Sequence, residues 1–284
     1  MEESIRKADI LIEALPYLQA FRGKVMVVKY GGSAVDNPVA MKGILQDLVF
    51  LSAVGIHAVL VHGGGPMITR KLSALGKKSA FIDGMRVTDQ ETIRVVNQEL
   101  TAVNKRLVAQ VKELSGHAEG MVPAQRVVIA EAHPRSAELG FVGVVKTVHT
   151  GPLREVFTQH AIPVISPVGV ATDNGQLYNI NADDVACEVA AQLKAEKLVL
   201  LTNVRGILRQ ANDETSLMST LSVKDARTLM ERGVIQEGMI PKVTACIDAL
   251  RHGVKKTHII DASIPHAMLL EIFTKQGIGT EIIR

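Results

Sequence analysis

The chain is poor in aromatic residues and in cysteine. It has no tryptophan among 284 residues, and its aromatic content is only 3%. Surfaces that stack nucleic-acid bases or sugars on aromatic rings are therefore not expected. The two cysteines, Cys187 and Cys246, lie far apart in apolar, helix-like surroundings, which argues against a disulfide framework and against a zinc ribbon.

The chain also lacks a large excess of positive or negative charge and has no long apolar run. The formal net charge is +3 and no basic block occurs, so a nucleic-acid partner is not expected. No apolar run reaches the ~18–20 residues that span a bilayer, and the start of the chain lacks the pattern of a secretory leader. Because 47% of the residues are hydrophobic and 21% are charged, we expect an ordinary globular enzyme in the cytoplasm, without a membrane partner.

Patterns of metal and nucleophile chemistry are missing too. The sequence contains no HExxH or CxxC motif and no Ser–His–Asp order of the kind found in hydrolases. The nine histidines show no ligand spacing. No metal site built from protein side chains is predicted.

What the sequence does contain is a repeated theme of a short apolar run, a glycine turn and a helical pattern. The runs lie at 24–30, His57–His62, 162–168, 197–204 and 255–261. Most of them are continuously apolar, as in strands that are buried on both faces of a parallel sheet. The pattern predicts a three-layer α/β/α sandwich with a mainly parallel central sheet.

Two segments depart from this theme. Around 126–148, two β-like runs flank a polar stretch with Pro134, and we interpret them as antiparallel strands inserted into the sheet region. At the start of the chain an apolar stripe at helical spacing ends near Pro16; its members are Ile5, Ala8, Leu11, Ile12, Leu15 and Leu18. This leading helix either packs on its own domain or mediates oligomerisation.

Glycine-rich loops follow the first two strands. Gly31 and Gly32 come directly after Lys29-Tyr30, and the run 63–65 is followed by Pro66, which suits the first turn of a helix. Neither loop fits the dinucleotide or the Walker pattern. Backbone N–H groups, a helix N-terminus and the Lys29 ammonium would together form an anion cradle, whereas the alternative is a pair of tight turns.

Further candidates lie where later strands are expected to end. The Arg86 guanidinium suits bidentate carboxylate recognition, or else forms a surface ion pair. The segment 179–184 places Asp183 at a helix start, where the simpler interpretation is N-capping by Asn181 or Asp183. Lys242 lies in the first turn of another helix, where its charge opposes the helix dipole and suggests a use other than helix stability.

Nine short blocks carry a resemblance to a known family. In chain order they are KYGGSA (29–34), VHGGGP (61–66), GMRVTD (84–89), VNK (103–105), GFVG (140–143), ISPVG (165–169), YNINAD (178–183), LTNVRGIL (201–208) and GMIPK (238–242). On these blocks the chain resembles the amino acid kinase family, and within it the acetylglutamate kinases, over nearly its whole length.

The resemblance implies ATP-dependent phosphorylation of the side-chain carboxylate of N-acetyl-L-glutamate, a step of arginine biosynthesis, with Mg²⁺ carried mainly by the nucleotide. It implies that Lys29 and Lys242 stabilise the transferred phosphoryl group and that Asp183 orients both. The substrate would be bound by Gly64, Gly65, Arg86 and Asn179. The phosphates and nucleotide would be bound by Gly31, Gly32, Gly63, Thr202, Asn203, Gly206 and Met239.

The resemblance extends to the arginine-inhibited, hexameric branch of these kinases. The matching positions for bound L-arginine are Tyr17, His258, Glu271 and Gly277. Residues 1–22 would then be an oligomerisation helix in a trimer of dimers, and 23–284 the kinase domain, with a substrate lobe at about 23–175 and a nucleotide lobe at about 176–284. Some relatives of this branch are controlled by a PII signalling protein, which makes such a protein a candidate partner that the sequence neither favours nor excludes.

Departures from the family pattern keep two alternatives open. Asn203 stands where the family usually has aspartate, Pro123-Ala124-Gln125 stands where it usually has Gly-Lys-Asp, and Ala102 replaces a common glycine. The alternatives are a kinase for another acylated acidic amino acid and a non-catalytic, arginine-sensing or partner-binding paralogue. Retention of Lys29, Asp183 and Lys242 together favours catalysis.

Overall fold

The computed structural model describes residues 1–31, 37–210, 213–236, 238–274 and 277–284, so the predicted phosphate ligand Gly32 lies outside the described residues. The helices are α1 Glu2–Phe21, α2 Pro38–Ala53, α3 Gly65–Ala74, α4 Gln90–Glu113, α5 Ser136–Leu139, α6 Thr150–Thr158, α7 Ala182–Gln192, α8 Val223–Glu231, α9 Ile240–Arg251 and α10 Ala267–Phe273. The strands are β1 Val25–Tyr30, β2 His57–His62, β3 Phe81–Ile82, β4 Met85–Arg86, β5 Ala118–Met121, β6 Val128–Ala132, β7 Gly143–Val148, β8 Ile162–Ile165, β9 Val168–Val170, β10 Leu177–Asn179, β11 Lys197–Thr202, β12 Thr220–Ser222, β13 Lys256–Asp261 and β14 Thr280–Ile283.

The largest sheet has eight strands in the order β12-β14-β13-β11-β1-β2-β8-β5. Its pairings are parallel except that β14 is antiparallel to β13. The predicted mainly parallel α/β fold is thus confirmed. Since β1 has β2 on one side and the much later β11 on the other, the chain order reverses at β1. Ligands of open α/β sheets bind at such a point, beyond the carboxyl ends of the strands.

Both faces of this sheet are buried, and alternate residues of each strand serve opposite faces. Val27, Val59 and Leu198 belong to a core that includes residues of α7 and α9. Met26 and Leu60 belong to a second core on the other face, which includes residues of α2, α4 and α10. This arrangement explains the continuously apolar strands. It also puts Lys29, two residues after Val27, on the face that is covered by α7 and α9.

The segment around 126–148 forms antiparallel strands, as predicted, but in a different place. β6 and β7 pair antiparallel within a separate four-stranded sheet of order β10-β9-β6-β7. The predicted strand at 162–168 is likewise split between the two sheets, because β8 ends at Ile165 and β9 starts at Val168. Pro167 lies at this break, and proline has no N–H group for a strand ladder.

Helix α1 continues through Pro16 to Phe21, so the expectation that it ends near Pro16 is wrong. A proline costs one helical hydrogen bond but leaves the later turns possible. The apolar stripe is largely uncovered: the exposed fractions of Ile5, Leu11 and Ile12 are 53%, 66% and 68%. The end of the helix does pack on the domain, through an edge-to-face contact of Tyr17 with Phe273. Among the described residues, no helix is long and apolar enough to cross a membrane.

Candidate active site

Three charged side chains from distant parts of the chain meet at one end of the central sheet. Lys29 lies on β1, Asp183 in the first turn of α7 and Lys242 in the first turn of α9. The Lys29 Nζ atom is 2.9 Å from Asp183 Oδ1, and the Lys242 Nζ atom is 3.4 Å from Asp183 Oδ2. The two ammonium groups therefore converge on one carboxylate, and we call these three residues the lysine–aspartate cluster.

Burial and charge act in opposite directions on the Asp183 carboxyl group. Burial alone raises the pKa of a carboxyl group, because it removes water from the charged form. The charges of Lys29 and Lys242 outweigh this effect and hold the pKa of Asp183 below its usual range. Asp183 is therefore ionised at neutral pH, and its two oxygens orient the two ammonium groups.

The start of α7 leaves this carboxylate available to the lysines. Asn181 is the N-cap, and its side-chain oxygen accepts the N–H group of Asp183 at 2.8 Å. Capping is thus done by Asn181, one of the two residues considered for it, and not by Asp183. Lys242 follows Pro241 in the first turn of α9, and its side chain is 24% exposed, against 9% for Lys29. The cluster is therefore more exposed to solvent on the Lys242 side than on the Lys29 side.

The two glycine loops lie against each other beside the cluster. A Cβ atom on Gly31 would lie 2.8 Å from Lys29 Nζ and 3.7 Å from the Cα atom of Gly63. A Cβ atom on Gly64 would lie 2.5 Å from the Leu100 side chain, which would have to shift to make room for it.

The amides of the second loop have different roles. The N–H group of Gly63 donates to the carbonyl oxygen of Tyr30 at 2.7 Å. Within the described ranges the N–H groups of Gly64 and Gly65, at the start of α3, have no acceptor. These two amides at a helix N-terminus are suited to an anion.

A cavity of about 360 Å³ opens beside this loop, and we call it the glycine pocket. Its lining includes Lys29, Gly63, Gly64, Gly65, Arg86 and Asn179, so it brings together all four predicted substrate-binding residues with one lysine of the cluster. Sequence reasoning missed Ile68, Phe81, Leu100 and Asn181, which also line it. Ile68, Phe81 and Leu100 reach the pocket through tertiary packing, which no local motif signals, whereas the position of Asn181 between Asn179 and Asp183 is a signal that could have indicated it.

Arg86 supplies a guanidinium group to this pocket, whose lining also includes Asp184. It is 7% exposed, and it donates to the Gly65 carbonyl at 3.1 Å, to Thr69 Oγ1 at 2.8 Å and to the Ser79 hydroxyl. Its guanidinium also lies 4.7 Å from the ring centre of Phe81. In the described part of the chain no carboxylate is within ion-pair distance of Arg86, so the alternative of a surface ion pair is wrong. A buried cation without a counter-charge favours an anionic ligand.

Asn179 completes the polar side of the pocket. It is the last residue of β10, and its Nδ2 atom donates to Thr88 Oγ1 at 3.2 Å. The Thr88 hydroxyl in turn donates to the Arg86 carbonyl at 2.7 Å. Asn179 and Arg86 are therefore positioned through a shared threonine.

Of the residues predicted to bind phosphates and nucleotide, Gly63 lines the glycine pocket, whereas Thr202, Asn203, Gly206 and Met239 do not. Thr202 is buried at the end of β11, where its hydroxyl bonds to the backbone of Val204, and Asn203 is exposed just after it. Met239 is half-buried at the N-terminus of α9. Gly206 has a φ of +152°, and a Cβ atom there would lie 2.5 Å from Thr280 Oγ1. Close packing against Thr280 is therefore a structural reason for this glycine.

A second cavity of about 280 Å³ lies beside α1, and we call it the α1 pocket. All four residues predicted to bind arginine line it, namely Tyr17, His258, Glu271 and Gly277. His258 Nδ1 is 2.7 Å from Glu271 Oε1, and Glu271 Oε2 accepts the N–H groups of Ile278 and Gly279. A Cβ atom on Gly277 would lie 2.9 Å from the same Oε2 atom, and Gly277 has a φ of +60°. Glycine therefore lets the chain close around the carboxylate.

The net effect of burial and hydrogen bonding lowers the pKa values of both His258 and Glu271 from their usual ranges. Burial lowers the pKa of His258 more than its hydrogen bond to Glu271 raises it. Burial raises the pKa of Glu271, but the hydrogen bond from His258 and the backbone N–H groups outweigh it and keep that pKa below its usual range.

Sequence reasoning missed Lys197 and Glu281, which also line the pocket. A lysine at the start of the apolar run of β11 is the signal that could have indicated Lys197.

No metal ligands from protein side chains were predicted from the sequence. Across the described ranges, no group of three or more histidine, cysteine, aspartate or glutamate side chains is arranged to hold a metal ion. The Asp183 carboxylate already faces two ammonium groups, which makes it a poor ligand for a cation.

A parallel sheet with glycine loops beyond its central strands and two lysines on one carboxylate is the layout of a phosphoryl-transfer enzyme. The family model described as "Amino acid kinase family" matches residues 24–261, and the chain belongs to this family.

Comparison with full-length relatives narrows the assignment within the family to the acetylglutamate kinases. The chain is 47% identical to the acetylglutamate kinase of Heliobacterium modesticaldum, with 100% of both chains covered. It is 46% identical to the acetylglutamate kinase of Desulforamulus reducens, over 100% of this chain and 99% of that one. It is 47% identical to the acetylglutamate kinase of Moorella thermoacetica, over 98% of each.

Solved structures resemble the fold over almost the whole chain. The N-acetylglutamate synthase of Neisseria gonorrhoeae, complexed with coenzyme A and N-acetyl-glutamate, is 27% identical with a TM-score of 0.87; the match covers 98% of this chain and 63% of that one. The same synthase complexed with coenzyme A and L-arginine gives a TM-score of 0.84. Carbamate kinase from Giardia lamblia bound to AMP-PNP is 16% identical with a TM-score of 0.67, a likeness of fold alone.

Proposed function

We propose that this protein transfers the γ-phosphoryl group of ATP to the side-chain carboxylate of N-acetyl-L-glutamate, giving N-acetyl-L-glutamyl 5-phosphate. The observation that carries the proposal is the lysine–aspartate cluster beside a pocket with a buried, unpaired arginine. The names of the full-length relatives support the choice of substrate.

The glycine pocket suggests an orientation for the substrate. The α-carboxylate would pair with Arg86 and the acetamido group would bond to Asn179, because these groups complement each other in charge and hydrogen bonding. The side-chain carboxylate would then lie near the free amides of Gly64 and Gly65, close to Lys29. A carboxylate is already ionised at neutral pH, so this nucleophile needs no general base.

The two lysines would act on the charge that develops during transfer. Phosphoryl transfer depends on in-line positioning and on neutralising negative charge that is spread over the phosphoryl oxygens. Lys29 and Lys242 approach Asp183 from different elements, so their ammonium groups would flank the migrating group. Asp183 would remain ionised and hold both lysines in position.

ATP would lie over the loops at 202–208 and 236–242, with Mg²⁺ on its phosphates. This part of the proposal rests on the family resemblance of Thr202, Asn203, Gly206 and Met239. When bound, the metal would supply charge neutralisation at the phosphates. Asn203 keeps a hydrogen-bonding group where the family usually has a carboxylate, so the protein would offer the metal one negative charge less.

A coupled assay of ADP release tests the proposed reaction. We expect turnover with N-acetyl-L-glutamate and much less with L-glutamate, L-aspartate or N-acetyl-L-aspartate. Equal or faster turnover with another acylated acid would establish the first alternative. Absence of turnover with all four acids would favour a non-catalytic paralogue.

We also propose that L-arginine binds in the α1 pocket and inhibits the reaction. The pocket combines carboxylates at Glu271 and Glu281, suited to a guanidinium or an amino group, with the buried Lys197, suited to a carboxylate. The structural likeness to a synthase complexed with L-arginine adds support. Initial rates with and without L-arginine, compared with D-arginine and L-lysine, test this: inhibition by L-arginine alone is expected, and no inhibition would refute it.

Assembly is the third part of the proposal. The exposed apolar stripe of α1 supports an oligomerisation helix at 1–22, preceding a kinase domain at 23–284 with substrate and nucleotide lobes at about 23–175 and 176–284. We expect a hexamer, built as a trimer of dimers, in the cytoplasm. The number of protomers per particle, obtained from the solution mass, should be larger for the full chain than for a variant lacking residues 1–20. Equal oligomeric states would contradict it.

A further inference from the structure

One buried imidazole beside the glycine pocket has no part in the proposed reaction so far. His62 is the last residue of β2 and directly precedes the glycine loop, and it is fully buried. Its side chain contacts two groups. The Nδ1 atom is 3.0 Å from the Gly63 carbonyl oxygen, and the Nε2 atom is 3.2 Å from Asn104 Nδ2.

The neighbours of Asn104 determine which nitrogen of His62 carries the proton. Asn104 is buried on α4, and its Nδ2 atom donates to the Val164 carbonyl at 2.7 Å, which identifies the amide nitrogen. The second hydrogen of this nitrogen is directed at His62 Nε2, which must then be an acceptor. Gly120 leaves the space for the amide oxygen, since a Cβ atom there would lie 2.3 Å from Asn104 Oδ1. The proton of the neutral imidazole is therefore on Nδ1, and it is donated to Gly63.

Burial keeps this imidazole neutral. It lowers the pKa of His62 to about 4, and the charge of Arg106 acts in the same direction, while the hydrogen bond to Gly63 opposes them. A neutral ring with one fixed donor holds a carbonyl group in place. It cannot supply or accept a proton in a reaction near pH 7.

The hydrogen bond to Gly63 also sets the direction of the next amide. In a trans peptide the carbonyl and the following N–H group point in opposite directions. His62 lies on the face of β2 shared with Leu60, whereas Lys29 lies on the face shared with Val27. A Gly63 carbonyl held towards His62 therefore turns the N–H group of Gly64 towards the side of Lys29.

We propose that His62, held by Asn104, is a positioning residue that aims the Gly64 N–H group at the reacting carboxylate or phosphoryl oxygen. This inference rests on the proposed function, since the oxygen belongs to the substrate or to the transferred group. His62 acts through the peptide and touches neither. Its loss should therefore lower kcat while leaving the binding of ATP in place.

The test compares His62→Leu with His62→Asn. Leucine fills the site without a donor, whereas the asparagine amide nitrogen can take the place of Nδ1 and donate to Gly63. We expect His62→Leu to lower kcat by about 10- to 100-fold, somewhat less than outright removal of one donor to a developing oxyanion. We expect His62→Asn to recover kcat to within about threefold of the native protein, with the KM for ATP within twofold in both variants.

The same substitutions at His57 are matched controls. His57 lies at the opposite end of β2, stacked on Phe157, and it has no contact with the glycine loop. We expect His57→Leu and His57→Asn to keep the native kcat. Rates are normalised to the folded fraction from thermal unfolding, so that lost stability is not counted as lost catalysis.

Several results would overturn the inference. They are an unchanged kcat in His62→Leu, an equal loss of kcat in His62→Leu and His62→Asn, and a kcat of the native protein that titrates near pH 6.5 and ceases to do so in His62→Asn. The last result would indicate proton transfer by the imidazole. If the native protein shows no turnover with N-acetyl-L-glutamate, the proposed function fails and this inference fails with it. If the native protein does turn over N-acetyl-L-glutamate and His62→Leu has the native kcat, only the inference about His62 fails and the proposed function stands.

Discussion

The two pockets of this protein differ in the partners that their charged side chains already have. In the glycine pocket, whose lining includes Asp184, no carboxylate of the described residues lies within ion-pair distance of Arg86, and the Gly64 and Gly65 amides have no acceptor there. In the α1 pocket, Glu271 is paired with His258 at 2.7 Å, and Glu281 is paired with Lys256 at 2.8 Å. The guanidinium in the first pocket lacks an ionic partner, whereas both carboxylates in the second already have a hydrogen-bonding or charged partner.

The difference indicates how each pocket would respond to its ligand. A buried cation without an ionic partner carries a desolvation cost, which an anionic ligand removes. Binding of that ligand and positioning of the cation therefore depend strongly on each other. A pocket with paired charges must exchange existing contacts for new ones, and only the surplus contributes to affinity. We therefore expect large effects of substitutions in the catalytic region and smaller, ligand-dependent effects in the α1 pocket.

The largest effect is expected for the lysine–aspartate cluster. Lys29→Met and Lys242→Ala should each lower kcat by about 10²–10³-fold, the scale for loss of one preorganised group at a developing charge. Steady-state kinetics with saturating ATP and N-acetyl-L-glutamate measure this. Lys24→Met is the matched control, because Lys24 is exposed just before β1. Full activity of Lys242→Ala would refute its role.

A smaller effect, on substrate binding, is expected for Arg86. Arg86→Gln should raise the KM for N-acetyl-L-glutamate by about 10- to 100-fold, since a charged hydrogen-bonding partner contributes about 1.5–3 kcal/mol. Arg94→Gln, on the exposed side of α4, should leave this KM unchanged. An unchanged KM in Arg86→Gln would mean that the unpaired guanidinium does not face the substrate, and the contrast between the pockets would lose its basis.

In the α1 pocket, the expected effect is on inhibition. Glu271→Gln should raise the concentration of L-arginine required for half-inhibition by at least about 10-fold, because one charge-assisted contact is lost. The measured quantity is the ratio of rates with and without arginine in the same variant, so a change in basal rate cancels. Unaltered inhibition would exclude this pocket as the arginine site.

The smallest expected effect concerns stability and its dependence on pH. The pKa of Glu271 is lower in the folded protein than its ordinary value of 4.5, so its ionised form stabilises the fold. This contribution is fully present above pH 4.5 and is lost as the pH falls through the lowered pKa. Glu271→Gln should therefore reduce the free energy of unfolding by about 1–3 kcal/mol at pH 7. Urea unfolding should show this difference narrowing below pH 4.5; a constant difference would contradict it.

Much of the catalytic region could be predicted from the sequence. Lys29, Asp183 and Lys242 come from motifs at strand ends and helix starts, and the carboxyl ends of parallel strands meet at one edge of a sheet. The continuously apolar strands predicted a sheet covered on both faces. These features depend on local sequence and on general rules of α/β topology.

Other features could not be read from local sequence. The break at Pro167 and the separate sheet of β6 and β7 depend on which strands compete for the same edge. The contacts of Arg86 with Thr69 and Ser79 depend on how α3 packs against the hairpin of β3 and β4. The hydrogen bonds of His62 to Gly63 and Asn104 arise only when β2 and α4 are brought together.

Strand β11 has a consequence for any communication between the two pockets. It starts at Lys197 in the α1 pocket and ends at Thr202, in the predicted nucleotide loop. At about 3.3 Å per residue its ends are roughly 17 Å apart, too far for one small ligand to bridge. Strand β11 is paired with β1 on one side and with β13 on the other, which makes it rigid. A ligand-induced change at one end of β11 would therefore be transmitted to the other end as a displacement of the whole strand together with its neighbours.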